Sequence, residues 1–385
     1  MDILTEFQTV TKPQIVYGPG KLSEVPKILE SSSLKRAFIV TDKGIVEAGY
    51  PEQLKQLLDD AGIACQIFAG SKENPTESDA EDCAAVSREF KPDVIVGLGG
   101  GSSMDTAKAC NFLHTNGGRM EDYHGYGKAE KPMLPLICIP TTSGTGSECQ
   151  SFALISRDHD HKKMACGDPE NAATVAVLDP ELTLSQPQTV TANTGIDALA
   201  HAIETYVSLK ATPYSRIFAA EAFRLLSSAF PKVLREPENI AARSAMQLGA
   251  AYAGLAIEHS MLGAAHGCAN PITARFEITH GQAVGLMLPA VIRRNSEDDA
   301  VNDDYLSLLH SVAADEDCQF ESLDELVENH LRLAGMPTRL SEINVRGEHI
   351  EELAKDAETQ WTSTFNPVNL AKRDFQEIYS RLLEQ

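Results

Sequence analysis

Asp197 and His201 stand four residues apart, and His266 and His280 follow, fourteen residues apart from each other. On a helix, an i, i+4 pair projects from one face, one turn apart. One carboxylate and three neutral imidazoles make a monoanionic oxygen-and-nitrogen set suited to a divalent transition ion, Fe2+ or Zn2+. Four protein ligands on an ion that accepts about five or six leave room for a substrate oxygen. A D-x3-H pair alone arises by chance in many helices, and a histidine in a helical domain is more often a hydrogen-bonded core or capping residue. The weight comes from a glycine-rich, phosphate-cradling loop upstream, which points the open position toward redox chemistry on an alcohol or carbonyl.

That loop lies between Asp93 and Lys108, in the run DVIVGLGGGSSMDTAK. It reads as a buried strand, a glycine turn and a helix start. Gly99, Gly100 and Gly101 let backbone N–H groups approach an anion without a Cβ in the way. A helix beginning near Ser103 adds unpaired N–H groups and its positive dipole end. This is not the Rossmann GxGxxG, because Ser102 holds the third-glycine position and the loop follows the fourth strand. Ser102 and Asp105 are spaced as an S-x-x-D capping pair, and capping is expected of Asp105 ahead of ligand contact. Two further loops leave strand C-termini on the same side, where ligands of open α/β sheets bind. Asp42 ends one strand; it suits hydrogen bonding to an adenosine ribose and would repel a 2′-phosphate, favouring NAD over NADP. The run IPTTSGTGSE from Ile139 to Glu148 is dense in hydroxyls. Thr141, Thr142 and Thr145 could bond pyrophosphate, ribose or carboxamide; the bland alternative is an ordinary capped turn.

The elements that must position these groups change character along the chain. Apolar, β-branched runs at Gln14–Tyr17, Ala37–Thr41, Cys65–Phe68, Val94–Leu98, Leu136–Ile139 and Thr174–Leu178 predict strands. Amphipathic stretches at Pro51–Ala61, Glu77–Phe90 and Ser103–His114 predict intervening helices, hence a doubly wound, mainly parallel sheet. A β-hairpin is expected at Phe152–Ser156 and Lys163–Cys166, joined by the polar turn Arg157–His161. Beyond Pro187 helical periodicity dominates, at Ala198–Val207, Ile217–Ser227, Ala241–Ile257, Val284–Asn295, Leu323–Ala334 and Phe375–Glu384. The expected organisation is an α/β dinucleotide-binding domain over 1–187 and an all-helical metal domain over 188–385. The acidic run Ser296–Asp304 reads as a solvated loop.

With 385 residues, the chain exceeds the length at which one core usually splits. Its formal charge of −22 argues against nucleic acid and anionic membranes as partners. The eight cysteines include no CxxC pair and read as reduced thiols packed as small apolar groups. The first residues lack the basic and apolar regions of a signal peptide, and no apolar run approaches the ~20 residues that span a bilayer. A cytoplasmic protein is expected.

Together these motifs resemble the iron-containing (group III) alcohol dehydrogenase family over essentially the whole chain. Val16–Gly20 is similar to its FGxG turn, Thr41-Asp42 to its adenosine-ribose carboxylate, and Lys72–Thr76 to its NPT loop. GGGSSMDTAK and PTTSGTGSE resemble its two cofactor signatures, and Thr194–Glu204 its GxDAxxHxxE helix. The spacing of His266 and His280 also matches. The resemblance implies a Rossmann-like domain followed by a helical metal domain in the dehydroquinate synthase-like arrangement, usually as a homodimer. It implies that Asp197, His201, His266 and His280 bind the metal, iron ahead of zinc. It also implies that Asp42, Asn74, Gly99, Gly100, Gly101, Ser102, Thr141, Thr142, Thr145 and Lys163 contact NAD. The substrate would be a small alcohol or aldehyde.

There is one departure. Many members carry a second histidine four residues after the third ligand, credited with proton relay or substrate contact; here that position is Asn270, which cannot act as an acid or base near neutrality. Asn270 could instead be the N-cap of the next helix, with Pro271 at N1. His259 lies seven residues before His266, at nearly the same angular position if one helix spans both. It is a catalytic candidate beside His280, against the plainer reading of a capping or surface histidine. Within the wider fold, a zinc glycerol- or polyol-type dehydrogenase and a metal-free maleylacetate-type reductase compete. Outside it, the alternatives are a hydrolase or lyase using metal-activated water and a non-enzymatic nucleotide-binding protein.

Overall fold

The computed structural model describes residues 7, 9, 12–159, 162–276, 278–312 and 320–384. Among them are nine strands: β1 (Gln14–Tyr17), β2 (Arg36–Asp42), β3 (Ala64–Ser71), β4 (Val94–Gly99), β5 (Gly125–Tyr126), β6 (Leu136–Pro140), β7 (Phe152–Ser156), β8 (Lys163–Gly167) and β9 (Val175–Leu178). Six form a parallel sheet in the order β1-β9-β6-β4-β2-β3. Parallel neighbours require crossovers, and five helices lie between the strands: α1 (Val25–Ser31), α2 (Lys43–Glu47), α3 (Tyr50–Asp60), α4 (Glu77–Phe90) and α5 (Gly101–Thr115). The pleat explains why β2 reads as a continuous apolar run. Ala37 and Ile39 enter one core with Leu29, Leu54 and Leu58. Phe38 and Val40 enter a second with Ala80, Cys83 and Ala107. Both faces are therefore covered, as the doubly wound expectation requires.

Strand direction places the candidate ligand loops. The strands β6, β4 and β2 are adjacent and parallel, with Val40 opposite Gly97 and Leu98 opposite Ile139. Asp42, Gly99–Gly101 and Thr141–Thr142 thus leave one edge of the sheet side by side. The hairpin of β7 and β8 pairs Phe152 with Gly167 and Ser156 with Lys163, and β5 joins β8 in parallel. Residues 160 and 161 of its turn lie outside the described residues.

The chain divides into two compact units, Val10–Thr142 with Gly146–Gln186, and Pro187–Gln385 with Met1–Thr9 and Ser143–Thr145. The division is thus not a single cut at residue 187. Ser143–Thr145 groups with the helices because Gly144 lies against Thr194, where a Cβ would meet the threonine at 2.6 Å.

The second unit comprises α6 (Gln188–Val207), α7 (Pro213–Arg235), α8 (Ile240–Glu258), α9 (Ala264–Arg275), α10 (His280–Asn295), α11 (Asp299–Val312), α12 (Leu323–Leu333), α13 (Ile350–Glu358) and α14 (Lys372–Glu384). Capping decides several boundaries. Thr212 and Ser215 form a capping box ahead of Pro213 at N1, and Asn239 accepts the Ala242 N–H at 3.0 Å. The acidic run is a loop only as far as Asp298, whose carboxylate accepts from Ala300 and Val301 and starts α11. Acidic residues at a helix start stabilise it through the dipole, so the solvated-loop expectation fails for Asp299–Asp304. One helix does not span His259 and His266, since α8 ends at Glu258 with His259 as its C-cap. Nor does Asn270 cap a new helix: α9 continues through Pro271, and Asn270 donates to Gln360 Oε1 at 3.0 Å. Among the described residues, no helix is long and apolar enough to cross a membrane.

The metal-candidate helices meet by backbone. A Cβ on Gly281 would lie 2.1 Å from the Asn193 carbonyl oxygen, so α10 rests directly on α6. Gly281→Ala must push the two helices apart, at an expected loss of about 1–3 kcal/mol. A lowered thermal midpoint in calorimetry, with Gly347→Ala as the open-space comparison, checks this.

Candidate metal centre and nucleotide loops

One face of α6 carries Asp197, His201 and Glu204, at i, i+4 and i+7. His266 lies in the first turn of α9, and His280 opens α10, whose N-cap Thr279 forms a capping box with Gln282. The helix starts therefore fix where the two imidazoles point. The Nε2 atoms of His266, His201 and His280 lie 3.4, 3.5 and 3.9 Å from Asp197 Oδ1. His201 and His266 stack at 4.9 Å between ring centroids, and His266 and His280 stand 5.4 Å apart. All four sequence candidates converge. Asp197, His201 and His266 are buried, whereas the His280 side chain keeps 29% exposure and forms the open side.

The structure adds Glu204, to which sequence reasoning gave no role beyond membership of a motif. Its Oε2 contacts His266 Nδ1 at 2.5 Å, and its Oε1 accepts the Ala265 N–H at 2.7 Å. A proton kept on Nδ1 by Glu204 makes Nε2 the atom that would ligate a metal once its own proton is displaced, the carboxylate–histidine arrangement that orients metal ligands. The D-x3-H-x2-E spacing was a usable signal, because all three side chains share a face.

Electrostatics follow from packing. Burial opposes ionisation of Asp197, yet the three imidazoles hold its carboxyl well below the usual range. Burial likewise disfavours the His266 imidazolium, but Glu204 and Asp197 outweigh it and push the ring up to about 9. His201 moves the other way, because burial outweighs its attraction to Asp197. Asp197 Oδ1 and His266 Nε2 have no hydrogen-bond partner among the described residues, although both are buried. Ligand atoms facing one another without hydrogen bonds, backed by a second carboxylate, fit a divalent cation.

His259 is not among these converging atoms. Its ring stands edge-on to Tyr214 at 4.9 Å, and burial alone lowers its pKa.

In the α/β unit, Gly99 has φ +150°, a left-handed value that a side chain would resist. Gly100 is the N-cap of α5 without a side-chain cap, so Ser102 already lies inside the helix and its carbonyl accepts from Thr106 Oγ1. The expected Ser102–Asp105 cap is absent for that reason, and Asp105 accepts instead from Ser147 Oγ at 2.8 Å. Asp42 caps α2 through the Ile45 N–H at 3.1 Å and accepts from Ser103 Oγ at 2.9 Å. Thr141 donates its N–H to the Gly99 carbonyl at 2.9 Å, and its buried hydroxyl has no partner among the described residues. A Cβ on Gly100 would meet Thr142 at 3.4 Å. Asp42, Gly99–Ser102, Thr141 and Thr142 thus sit together around the start of α5. Asn74 is exposed in a left-handed turn (φ 52°) just before the Thr76 cap of α4. Lys163 is exposed at the start of β8, and Thr145 belongs to the helical unit.

Comparison with known proteins bears on this geometry. Residues 12–180 match the family described as iron-containing alcohol dehydrogenase, and residues 191–383 match the C-terminal domain of the Fe-containing alcohol dehydrogenase family. The chain is 33% identical over 380 residues to an NAD-dependent methanol dehydrogenase of Bacillus methanolicus, covering 96% of this chain and 98% of that protein. The crystal structure of a 1,3-propanediol oxidoreductase superposes with a TM-score of 0.93 at 26% identity, covering 98% and 100% of the two chains. That of a Bifidobacterium kashiwanohense sulfoacetaldehyde reductase in complex with NAD+ gives 0.88 at 29% identity, covering 98% and 99%. The chain belongs to the iron-containing alcohol dehydrogenase family.

Proposed function

We propose that this protein interconverts a small alcohol and its aldehyde or ketone by hydride exchange with NAD(H), using a divalent metal held by Asp197, His201, His266 and His280. The observation that carries the reading is the convergence of one buried carboxylate oxygen and three Nε2 atoms, with Glu204 behind one of them. When bound, the metal supplies a Lewis acid that polarises a substrate oxygen and favours the alkoxide near neutral pH. Iron is the expected ion, and zinc is compatible with the same donors.

The chain's own residues do the rest. Asp197 supplies the one negative charge among the four ligands. Glu204 holds His266 in the tautomer whose Nε2 can ligate. His280, the most exposed of the four, marks the side from which substrate approaches. Asp42 would accept from ribose hydroxyls, and its charge beside the glycine turn supports NAD over NADP. The N–H groups at the start of α5 and the hydroxyls of Thr141 and Thr142 suit a pyrophosphate and its riboses. Asn74, Thr145 and Lys163 belong to the same cofactor set by family resemblance. Homodimeric assembly follows from the family resemblance.

Elemental analysis of anaerobically purified protein, with NADH oxidation across an aldehyde panel, tests the whole reading. His280→Ala should lose metal and activity together, and full turnover by a metal-free variant would refute the proposal. Glu204→Gln should keep all four ligands yet weaken metal affinity by about 10–100-fold, measured by competition with a chelator. Asp42→Asn retains an acceptor for the Ile45 N–H but removes the charge. Its preference for NAD over NADP in kcat/KM should fall by about tenfold, and unchanged preference removes Asp42 from cofactor choice.

A further inference from the structure

Lys108, the last residue of GGGSSMDTAK, is fully buried. Its place in a glycine-rich phosphate loop invites the reading of a phosphate ligand, as in P-loop proteins. The geometry opposes this. Lys108 stands seven residues beyond Gly101, about 10 Å along the helix from the glycine turn. An ammonium has three N–H donors. All three are engaged, by Ser147 O at 2.6 Å, Ser147 Oγ at 2.8 Å and Phe152 O at 3.0 Å.

The acceptors belong to the segment that leaves the threonine-rich loop. Ser147 passes the interaction on, donating its own Oγ–H to Asp105 at 2.8 Å. Asp105 lies one turn before Lys108 on the same face of α5, and it also takes the Leu154 N–H. A buried cation and its carboxylate are thus joined through one serine hydroxyl, which compensates both charges away from water. The other end of the same loop is tied as well, by the Thr141 N–H on the Gly99 carbonyl. The threonine-rich loop is therefore fastened at its entrance to the glycine turn, and at its exit to the helix that the turn begins.

We propose that Lys108, acting through Ser147, is a positioning residue for the cofactor. It clamps the exit of the 140–148 loop onto α5 and sets the spacing between the glycine turn and the threonines that a dinucleotide must bridge, without touching a phosphate. The inference rests on the nucleotide-site reading given above and deepens it.

The test compares Ser147→Ala, which retains the Lys108 charge, with Lys108→Met in the metal-loaded enzyme. NADH affinity is read by fluorescence titration, and KM for NAD separately from kcat. Ser147→Ala should weaken NADH binding about tenfold, with the loss in KM for NAD rather than in kcat. Lys108→Met should weaken it at least as much; should that variant not fold, Ser147→Ala alone decides. Unchanged NADH affinity in Ser147→Ala overturns the proposal, whether or not its thermal midpoint falls. If Lys108→Met then loses affinity while Ser147→Ala does not, Lys108 acts without the serine hydroxyl, and the route through Ser147 Oγ to Asp105 is overturned. A wild-type protein that binds no NADH overturns the nucleotide reading itself, and the clamp with it.

Discussion

A carboxylate removed from water must find compensating partners or give up its charge, and Asp197 is such a carboxylate. Its partners are three imidazoles contributed by α6, α9 and α10, so the demand of one buried oxygen fixes three helices against each other. The surrounding packing serves that requirement. Glu204 reaches from α6 to both the side chain of His266 and the N–H of Ala265, which anchors the first turn of α9. His280 is set by the capping box that starts α10.

The α/β unit solves a different problem with the same economy of means. A dinucleotide presents diphosphate and ribose, so its host needs exposed donors near a strand edge. Parallel pairing supplies them automatically, because neighbouring strands end on one side and their following loops emerge together. Asp42 illustrates the coupling: one oxygen starts α2 while the other holds Ser103 in the first turn of α5.

How much of this the sequence disclosed depended on the range of the interaction. Strands β4, β6 and β9 were legible because a doubly covered sheet needs continuous apolar runs, and Asp197–His201 because helical spacing is local. The convergence of His266 and His280 was chemically suggestive, yet only tertiary packing brings them to Asp197. Glu204 escaped assignment because a glutamate on a helix usually faces solvent, and its partner lies 62 residues on. Asp105 was misread for the same reason. A serine three residues away advertised a cap, whereas the serine that binds it is 42 residues distant. The proposed continuity from His259 to His266 failed where five residues, His259–Gly263, interrupt the helix.

The contact between Gly281 and Asn193 has a consequence for divergence. Where two helices touch through main chain, their separation is set by backbone atoms as long as position 281 stays glycine. Side chains elsewhere in the bundle can then be exchanged over generations without displacing the ligand-bearing turns. With Gly281 and Glu204 kept beside Asp197, His201, His266 and His280, the centre asks little more of the remaining core than filling space, and a lineage can change most of its residues while the centre stays in register.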